Sequence, residues 1–278
     1  MNLPINFDFT QSNLQDYLDC PYRFYLRYLL HTKWPALLVD SAIEFEKRTQ
    51  AGARFHRMVQ QYLLGVPEER IQDLADADPI PEIAIWWENF CSFIPSWLSG
   101  KQLVETVLST ELVESRLIAK YDLILIQDQN KFIIFDWKTS SKKLRKDWLV
   151  KKIQTRLYRF ILTRAGVILN SANIEPNQVT MHYWLASHPE APISLLYDSK
   201  AYESDKQFFG RLIQEIRHKE ERDFTKTVDT RKCQYCVYRS HCDRGIQAGD
   251  IETFEEFDLE PAQDELDIAF ENIAEIEF

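Results

Sequence analysis

Asp122 stands inside an apolar run, Ala119-Lys120-Tyr121-Asp122-Leu123-Ile124, and Asp136 closes another, Phe135-Asp136-Trp137-Lys138-Thr139. A charge inside or at the end of an apolar strand loses hydration at considerable cost unless it is paired or bound to a metal. Residues two apart on a strand share a face, so Asp136 and Lys138 project together. If the two runs pair as a hairpin, Asp122 approaches the same spot from the neighbouring strand. Two facing carboxylates repel, and a divalent cation relieves that repulsion. The ammonium of Lys138 beside them suits a water or a phosphate held next to the metal. The bland alternative for the same spacing is a strand-end Asp–Lys salt bridge with Asp122 at an exposed position. Glu111, on the run before, is a weaker candidate of the same kind.

A second cluster is built of sulfur. Cys20, Cys91, Cys233, Cys236 and Cys242 are the five cysteines, and the last three are spaced Cys-x2-Cys-x5-Cys. Short loops close at little entropic cost, so these thiolates can converge on one metal. Cys20, followed by Pro21, is the natural fourth ligand, and His241 could replace one cysteine. Zinc is the common owner of a Cys-x2-Cys pair. Disulfides are not expected with an odd count and a start that lacks a basic segment leading into an apolar run. That start points to a cytoplasmic protein. Cys91, beside Phe90 and Phe93, reads as a small buried hydrophobe.

The formal net charge of −10 argues at first against nucleic acid, but it is unevenly placed. Residues 250–278 carry twelve Asp or Glu and no Lys or Arg; the rest holds 31 acidic against 33 basic residues. Between Lys131 and Arg164 stand eleven Lys or Arg, opposed only by Asp136 and Asp147. Lys142, Lys143, Arg145, Lys146, Lys151, Lys152 and Arg156 form the densest stretch, a face suited to phosphates. A solvated helix face is the bland reading of that run, and a solubilising end that of the tail. Seven glycines assemble no phosphate loop and no dinucleotide fingerprint, which disfavours a motor or a Rossmann site. No run of eighteen apolar residues exists, so no membrane span is expected.

Several elements must position these groups. Ser12 with Gln15 fits a capping box opening a first helix, and Pro21 starts a second. Ser41 to Leu64 reads as a long helix bearing His56, Pro67 to Pro81 as a polar connection, and Ile83 to Trp97 as an aromatic-rich helix. Val104–Val113, Leu117–Gln127 and Phe132–Trp137 read as strands, the last two joined by Asp128-Gln129-Asn130 as a hairpin. A basic helix over Lys142–Ala165 follows. Then come a strand at Val179–Ala186, a possible partner at Ile193–Tyr197, and a last helix at Ala201–Arg222. Helices, then a hairpin, a helix and another strand give an α/β core with an N-terminal helical region.

Asp122, Asp136 and Lys138 together resemble the active-site signature of the PD-(D/E)XK nuclease superfamily. The order of motifs is most similar to its RecB-like branch, which includes the CRISPR adaptation nucleases. There the strand-ending motif is followed by a helix bearing Gln-x3-Tyr, here Gln154 and Tyr158, and preceded by a helical His, here His56 in Gly52-Ala53-Arg54-Phe55-His56. The resemblance covers most of Phe9 to Arg244; Ala119 stands where members often carry Gly. It implies a restriction-endonuclease-like fold, a mixed central sheet flanked by helices. It also implies Mg2+ or Mn2+ held by His56, Asp122, Asp136 and the Trp137 carbonyl, with Lys138, Gln154 and Tyr158 completing the catalytic set. Many members of that branch carry one Cys before and three after the catalytic motifs on a [4Fe–4S] cluster, which here implies Cys20, Cys233, Cys236 and Cys242, with zinc as the rival. The expected organisation is one nuclease domain over 1–249 and the acidic tail 250–278. Within the domain, residues 1–102 are expected to be helical, 103–222 to form the catalytic core and 223–249 to carry the cysteine cluster. The expected activity is metal-dependent cleavage of single-stranded or end-bearing DNA, more as exonuclease than endonuclease. A non-catalytic DNA-binding or interaction adaptor is the alternative. Any helicase partner must be a separate chain, the tail being a possible docking segment.

Overall fold

The structure is a computed structural model that describes residues 3–33, 40–127, 130–170, 173–234 and 236–245. The acidic tail lies outside the described residues. A short strand and two helices open the chain: β1 (Asp8–Phe9), α1 (Gln11–Asp19) and α2 (Pro21–Phe24), the last running into a π-turn over Tyr25–Leu29. Thr10, not Ser12, caps α1. Its hydroxyl accepts from the Asn13 N–H while the Asn13 side chain accepts from the Thr10 N–H, at 3.4 and 2.9 Å, so Ser12 is already inside the helix. Three helices follow, α3 (Asp40–Leu63), α4 (Glu68–Asp76) and α5 (Pro81–Phe93). α4 occupies the stretch expected as a polar connection; Ile71 and Ala75, four apart, are its buried stripe, too narrow to stand out among the acids.

Strands β2 (Lys101–Leu112), β3 (Ser115–Gln127) and β4 (Lys131–Lys138) come next, then α6 (Lys146–Leu149), α7 (Ile153–Ala165) and α8 (Val167–Asn170). β5 (Val179–Leu185), β6 (His188–Leu196) and α9 (Ser199–His218) complete the core. The basic stretch is therefore not one helix. Residues 139–145 leave β4 without helical structure, α6 is a single turn, and Lys152 is extended (φ −64°, ψ 143°) before α7 begins. Lysines and arginines crowd this stretch and leave too few apolar side chains to bury a continuous face.

The sheet runs β1-β3-β4-β5-β6, with β2 antiparallel along β3. Since β2 occupies one edge of β3 throughout, β1 and β4 must share the other. β1 pairs in parallel with Arg116 and Leu117, and β4 pairs antiparallel from Leu123 to Gln127. Between them, no strand among the described residues pairs with that edge of β3. β4 continues beside β5 in parallel as far as Lys138↔Leu185, so the sheet forks after Leu123↔Phe135. One hydrophobic cluster packs α1, α7 and α9 on one face through Leu14, Leu157, Phe160, Ile161, Phe209 and Ile213. A second packs α3, α4 and α5 on the other face through Phe55, Val59, Ile71, Trp87 and Phe90. This is the mixed sheet flanked by helices that the sequence implied.

Candidate active site

Asp122 and Asp136 are the next residues on either arm of the fork. Asp136 and Lys138 are even-numbered on β4, on the same face as Phe132 and Ile134, and turn toward α7. Both are almost fully buried, 3% and 7% exposed. Lys138 Nζ lies 2.8 Å from Asp136 Oδ1, and Gln154 Nε2 donates to Asp136 Oδ2 at 2.7 Å from the first turn of α7. Gln154 is fixed in turn: the Tyr183 hydroxyl reaches its Oε1 at 3.4 Å and meets Thr155 Oγ1 at 2.7 Å. Tyr183 is the β5 residue beside Asp136 in the ladder. This second layer was not singled out in the sequence. The available signal was a phenol in the buried stripe Val179-Met181-Tyr183, whose hydroxyl must find a partner.

Asp122 solves a backbone problem. Where β3 and β4 part, the Trp137 N–H loses its ladder partner, and Asp122 Oδ2 accepts from it at 3.1 Å. The same oxygen lies 3.4 Å from His56 Nδ1 on α3. α3 comes this close because Gly52 sits one turn before His56; a Cβ there would stand 3.1 Å from Thr139 Oγ1, just beyond Lys138. Burial disfavours the Asp122 carboxylate, but the charge and hydrogen bond of His56, then Lys138 and the Trp137 N–H, outweigh it and hold its pKa below the usual range. Burial likewise opposes protonation of His56, yet Asp122 holds the imidazole above its ordinary value.

The other expected site residues are placed as follows. The Trp137 ring is core, stacked on Phe135 at 5.2 Å, while its backbone lines the fork. The Lys138 carbonyl is taken by the Ala186 N–H on β5; successive carbonyls alternate sides, which turns that of Trp137 toward the fork. Tyr158 is 3% exposed, its ring is 4.9 Å from that of Tyr121, and its carbonyl accepts from the Tyr121 hydroxyl at 2.8 Å. One turn beyond Gln154, it is already inside the core and braces the residue before Asp122. Glu111 pairs opposite Arg116, six residues along β3 from Asp122 and so about 20 Å away. It does not belong to the site.

The family model described as PD-(D/E)XK nuclease superfamily matches residues 8–243. The chain belongs to the PD-(D/E)XK nuclease superfamily. Among solved structures it is similar to a "putative exonuclease" from Eubacterium rectale, at 10% identity and TM-score 0.48, covering 74% of this chain and 79% of that one. It is also similar to the protein SSO0001, at 14% identity and TM-score 0.32, covering 70% and 84%. No curated protein matches the chain.

In this PD-(D/E)XK chain the donor set fits a hard divalent cation: two carboxylates, a carbonyl and one imidazole. The Lys138 ammonium stands beside Asp136, and beside Asp122 stands the His56 imidazole, a cation when protonated. The Asp122 and His56 side chains keep 22% and 33% exposure, which leaves the fork accessible from solvent. Among the described residues no three of His, Cys, Asp or Glu form a ready-made metal shell.

Beyond the fork, six of the seven basic candidates line the segment that follows Lys138. Lys142 is exposed, its N–H bonded to Ser140 Oγ at 3.1 Å. Lys143 reaches Glu190 at 2.6 Å, Arg145 pairs with Asp147 at 2.7 Å, and Lys146 and Lys151 are exposed. Lys152 lies 3.6 Å over the Trp148 ring. Arg156 is drawn inward instead: it pairs with buried Asp205 on α9 and stacks 3.9 Å from Phe208.

Cys20, Cys233, Cys236 and Cys242 line one cavity, together with Arg23, Lys226, Lys232, Arg239 and Arg244. Backbone contacts knit its two halves, with the Thr227 N–H donating to Cys20 Sγ at 3.4 Å and the Tyr22 N–H to Thr225 O at 3.1 Å. Burial pushes the Cys233, Cys236 and Cys242 thiols up, opposed chiefly by Arg244, Arg23 and Lys226 respectively. Soft sulfur donors under a cationic rim have the chemistry of a thiolate-bound metal centre, but no three of these thiols stand in a ready-made metal shell. His241 is not among the lining residues; its ring stacks on Tyr22 at 6.4 Å and 10°. Cys91 lies apart on α5, where burial and Glu68 raise its pKa to about 12. All five cysteines are free.

Proposed function

We propose that this protein is a divalent-metal-dependent DNA nuclease of the RecB-like branch, acting on single-stranded or end-bearing DNA. The observation that carries it is the meeting of Asp122, Asp136, Lys138 and Gln154 at the fork of the sheet, where a buried Asp136–Lys138 pair stands beside a second, partly exposed carboxylate. His56, Asp122, Asp136 and the Trp137 carbonyl would hold Mg2+ or Mn2+. The cation, when bound, supplies Lewis-acid stabilisation of the charge that develops on phosphate oxygens. Lys138 Nζ holds and orients the attacking water beside Asp136, and Gln154 fixes the second carboxylate oxygen so that its lone pairs keep their direction. The segment from Lys142 to Lys152 leads from the site and supplies cations to track a phosphate backbone.

The four cysteines would ligate a [4Fe–4S] cluster that ties the segment after α1 to the C-terminal segment, a structural staple; the same thiols could hold zinc. A reducing, cytoplasmic setting suits five free thiols. A separate protein partner would engage the acidic tail. Cleavage of end-labelled linear, circular and nicked DNA, single- and double-stranded, tests the activity. Degradation of linear but not circular substrate with Mg2+ or Mn2+ supports an exonuclease. Equal attack on circles makes it an endonuclease, and no cleavage of any substrate leaves the adaptor reading. Brown protein absorbing near about 400 nm after anaerobic purification supports iron–sulfur, and colourless protein with stoichiometric zinc supports the rival.

A further inference from the structure

β2 and β3 both change face at the same rung. On β3, Leu117, Ala119 and Tyr121 face the α7 side, but beyond Asp122 the residues on that side are Ile124 and Ile126, while Leu123 and Leu125 face α3. On β2, Leu108 and Leu112 pack toward α7, and so does Leu103, whereas Val104 packs the other way. A regular strand alternates with a period of two, so each strand has shifted its phase once. The shift falls at Glu105 and Asp122, the one rung missing from a ladder that is otherwise continuous from Val104↔Leu123 to Thr106↔Tyr121. Glu105 has φ +51°, the left-handed region, inside a twelve-residue strand. Its carboxylate reaches across to Lys120 Nζ at 2.6 Å, two residues before Asp122.

The face change is what lets one carboxylate serve two elements. In phase with Ile124 and Ile126, Asp122 would face α7, away from His56 on α3. In phase with Leu117 and Tyr121, it would turn to the α3 side. At the break it lies in the fork, within reach of both His56 Nδ1 and the Trp137 N–H. Left-handed backbone in a non-glycine residue is uncommon in a strand and persists where the surroundings impose it.

We propose that Glu105 is a positioning residue for Asp122, acting through its left-handed backbone, with the Lys120 ion pair holding the broken rung closed. This rests on the nuclease reading for its catalytic consequence but not for its structural one. The test compares Glu105→Gly, which keeps the backbone conformation at no steric cost, with Glu105→Val, whose branched side chain opposes it, and the milder Glu105→Ala. Three readouts are taken on folded protein: DNA cleavage with kcat and KM separated, Mn2+ binding by electron paramagnetic resonance, and exchange of the Trp137 amide by NMR without metal. Glu105→Val should lose on the order of a hundredfold in kcat, as expected of a catalytic group displaced by about 1 Å, with KM for DNA held within about twofold. It should weaken Mn2+ binding about tenfold, as outer supports of a metal ligand do. It should also speed Trp137 exchange, because Asp122 no longer caps that N–H. Glu105→Ala should lie between, and Glu105→Gly, which loses the Lys120 ion pair but keeps the backbone conformation, should lose far less than Glu105→Val on all three. If Glu105→Val matches the unsubstituted protein, or Glu105→Gly loses as much as Glu105→Val, the backbone assignment is overturned. If the unsubstituted protein cleaves no DNA with any metal, the nuclease reading falls, while Trp137 exchange across the variants still decides the positioning role.

Discussion

Replacing Lys138 by Met removes the cation beside Asp136 and keeps most of the side-chain volume. The two partners have side chains only 8% and 4% exposed and stand 2.8 Å apart, so almost no water is available to take over. Breaking a buried pair of this kind by removing one partner costs about 3–5 kcal/mol. Gln154 still donates to the other carboxylate oxygen, which places Lys138→Met near the lower end, about 3 kcal/mol. For a chain of this size that is a fall in Tm of about 10 °C. Asp136→Asn should also destabilise, because it removes the carboxylate 2.8 Å from the buried Lys138 ammonium. The double substitution Asp136→Asn/Lys138→Met leaves no unpaired charge and should return to within about 1 kcal/mol of the unsubstituted protein. Mg2+ should then distinguish the single variants. With Lys138 gone, the cation can neutralise Asp136, returning up to about 2.7 kcal/mol at a hundredfold excess over Kd, whereas Asp136→Asn gains little. Urea unfolding with EDTA and with Mg2+, on all four proteins, gives the cycle. Single-variant losses that simply add in the double variant would refute the buried pair as the organising interaction.

Gln154→Leu should leave DNA affinity intact and lower kcat about 10–100-fold, since it frees Asp136 Oδ2 to reorient; single-turnover kinetics read this. The raised pKa of His56 and lowered pKa of Asp122 stabilise the metal-free fold between those two values. The His56 contribution is lost as pH rises through its raised pKa, and that of Asp122 as pH falls through its lowered one. Metal binding requires neutral His56, so below its pKa Mn2+ affinity should fall about tenfold per pH unit, with about one proton released on binding. Calorimetry in two buffers measures that proton, and His56→Gln should abolish it. Cys233→Ser should bleach or unload the metal centre and lower stability without removing the Asp136–Lys138 pair; iron and zinc content with thermal unfolding test this.

Much of this was legible in sequence. The hairpin carrying Asp122 and Asp136 was visible because its apolar strands are long and flank a polar turn. Gln154 followed from motif order, Cys233, Cys236 and Cys242 from their spacing, and Cys20 from the proline after it and the family resemblance. What was not legible depends on tertiary context. Tyr158 lies one turn beyond Gln154 on α7, and its packing against Tyr121 on β3 comes from far along the chain, which no local pattern reveals. Arg156 belongs by charge to the basic run, yet Asp205, far along the chain, claims it. β1 is two residues long and exists only because β4 leaves that edge of β3 open. The face change at Glu105 was masked by the unbroken apolar run Leu123-Ile124-Leu125-Ile126, which hides any alternation.

In the proposed function the fork of the sheet is a hydrolytic metal site. Its most direct test is cleavage of end-labelled single-stranded DNA with Mg2+, Mn2+ or EDTA, by the unsubstituted protein and by the stably folded Asp136→Asn/Lys138→Met protein. Cleavage by the former only with metal, and none by the latter, is the expected result. Equal cleavage by both would contradict it.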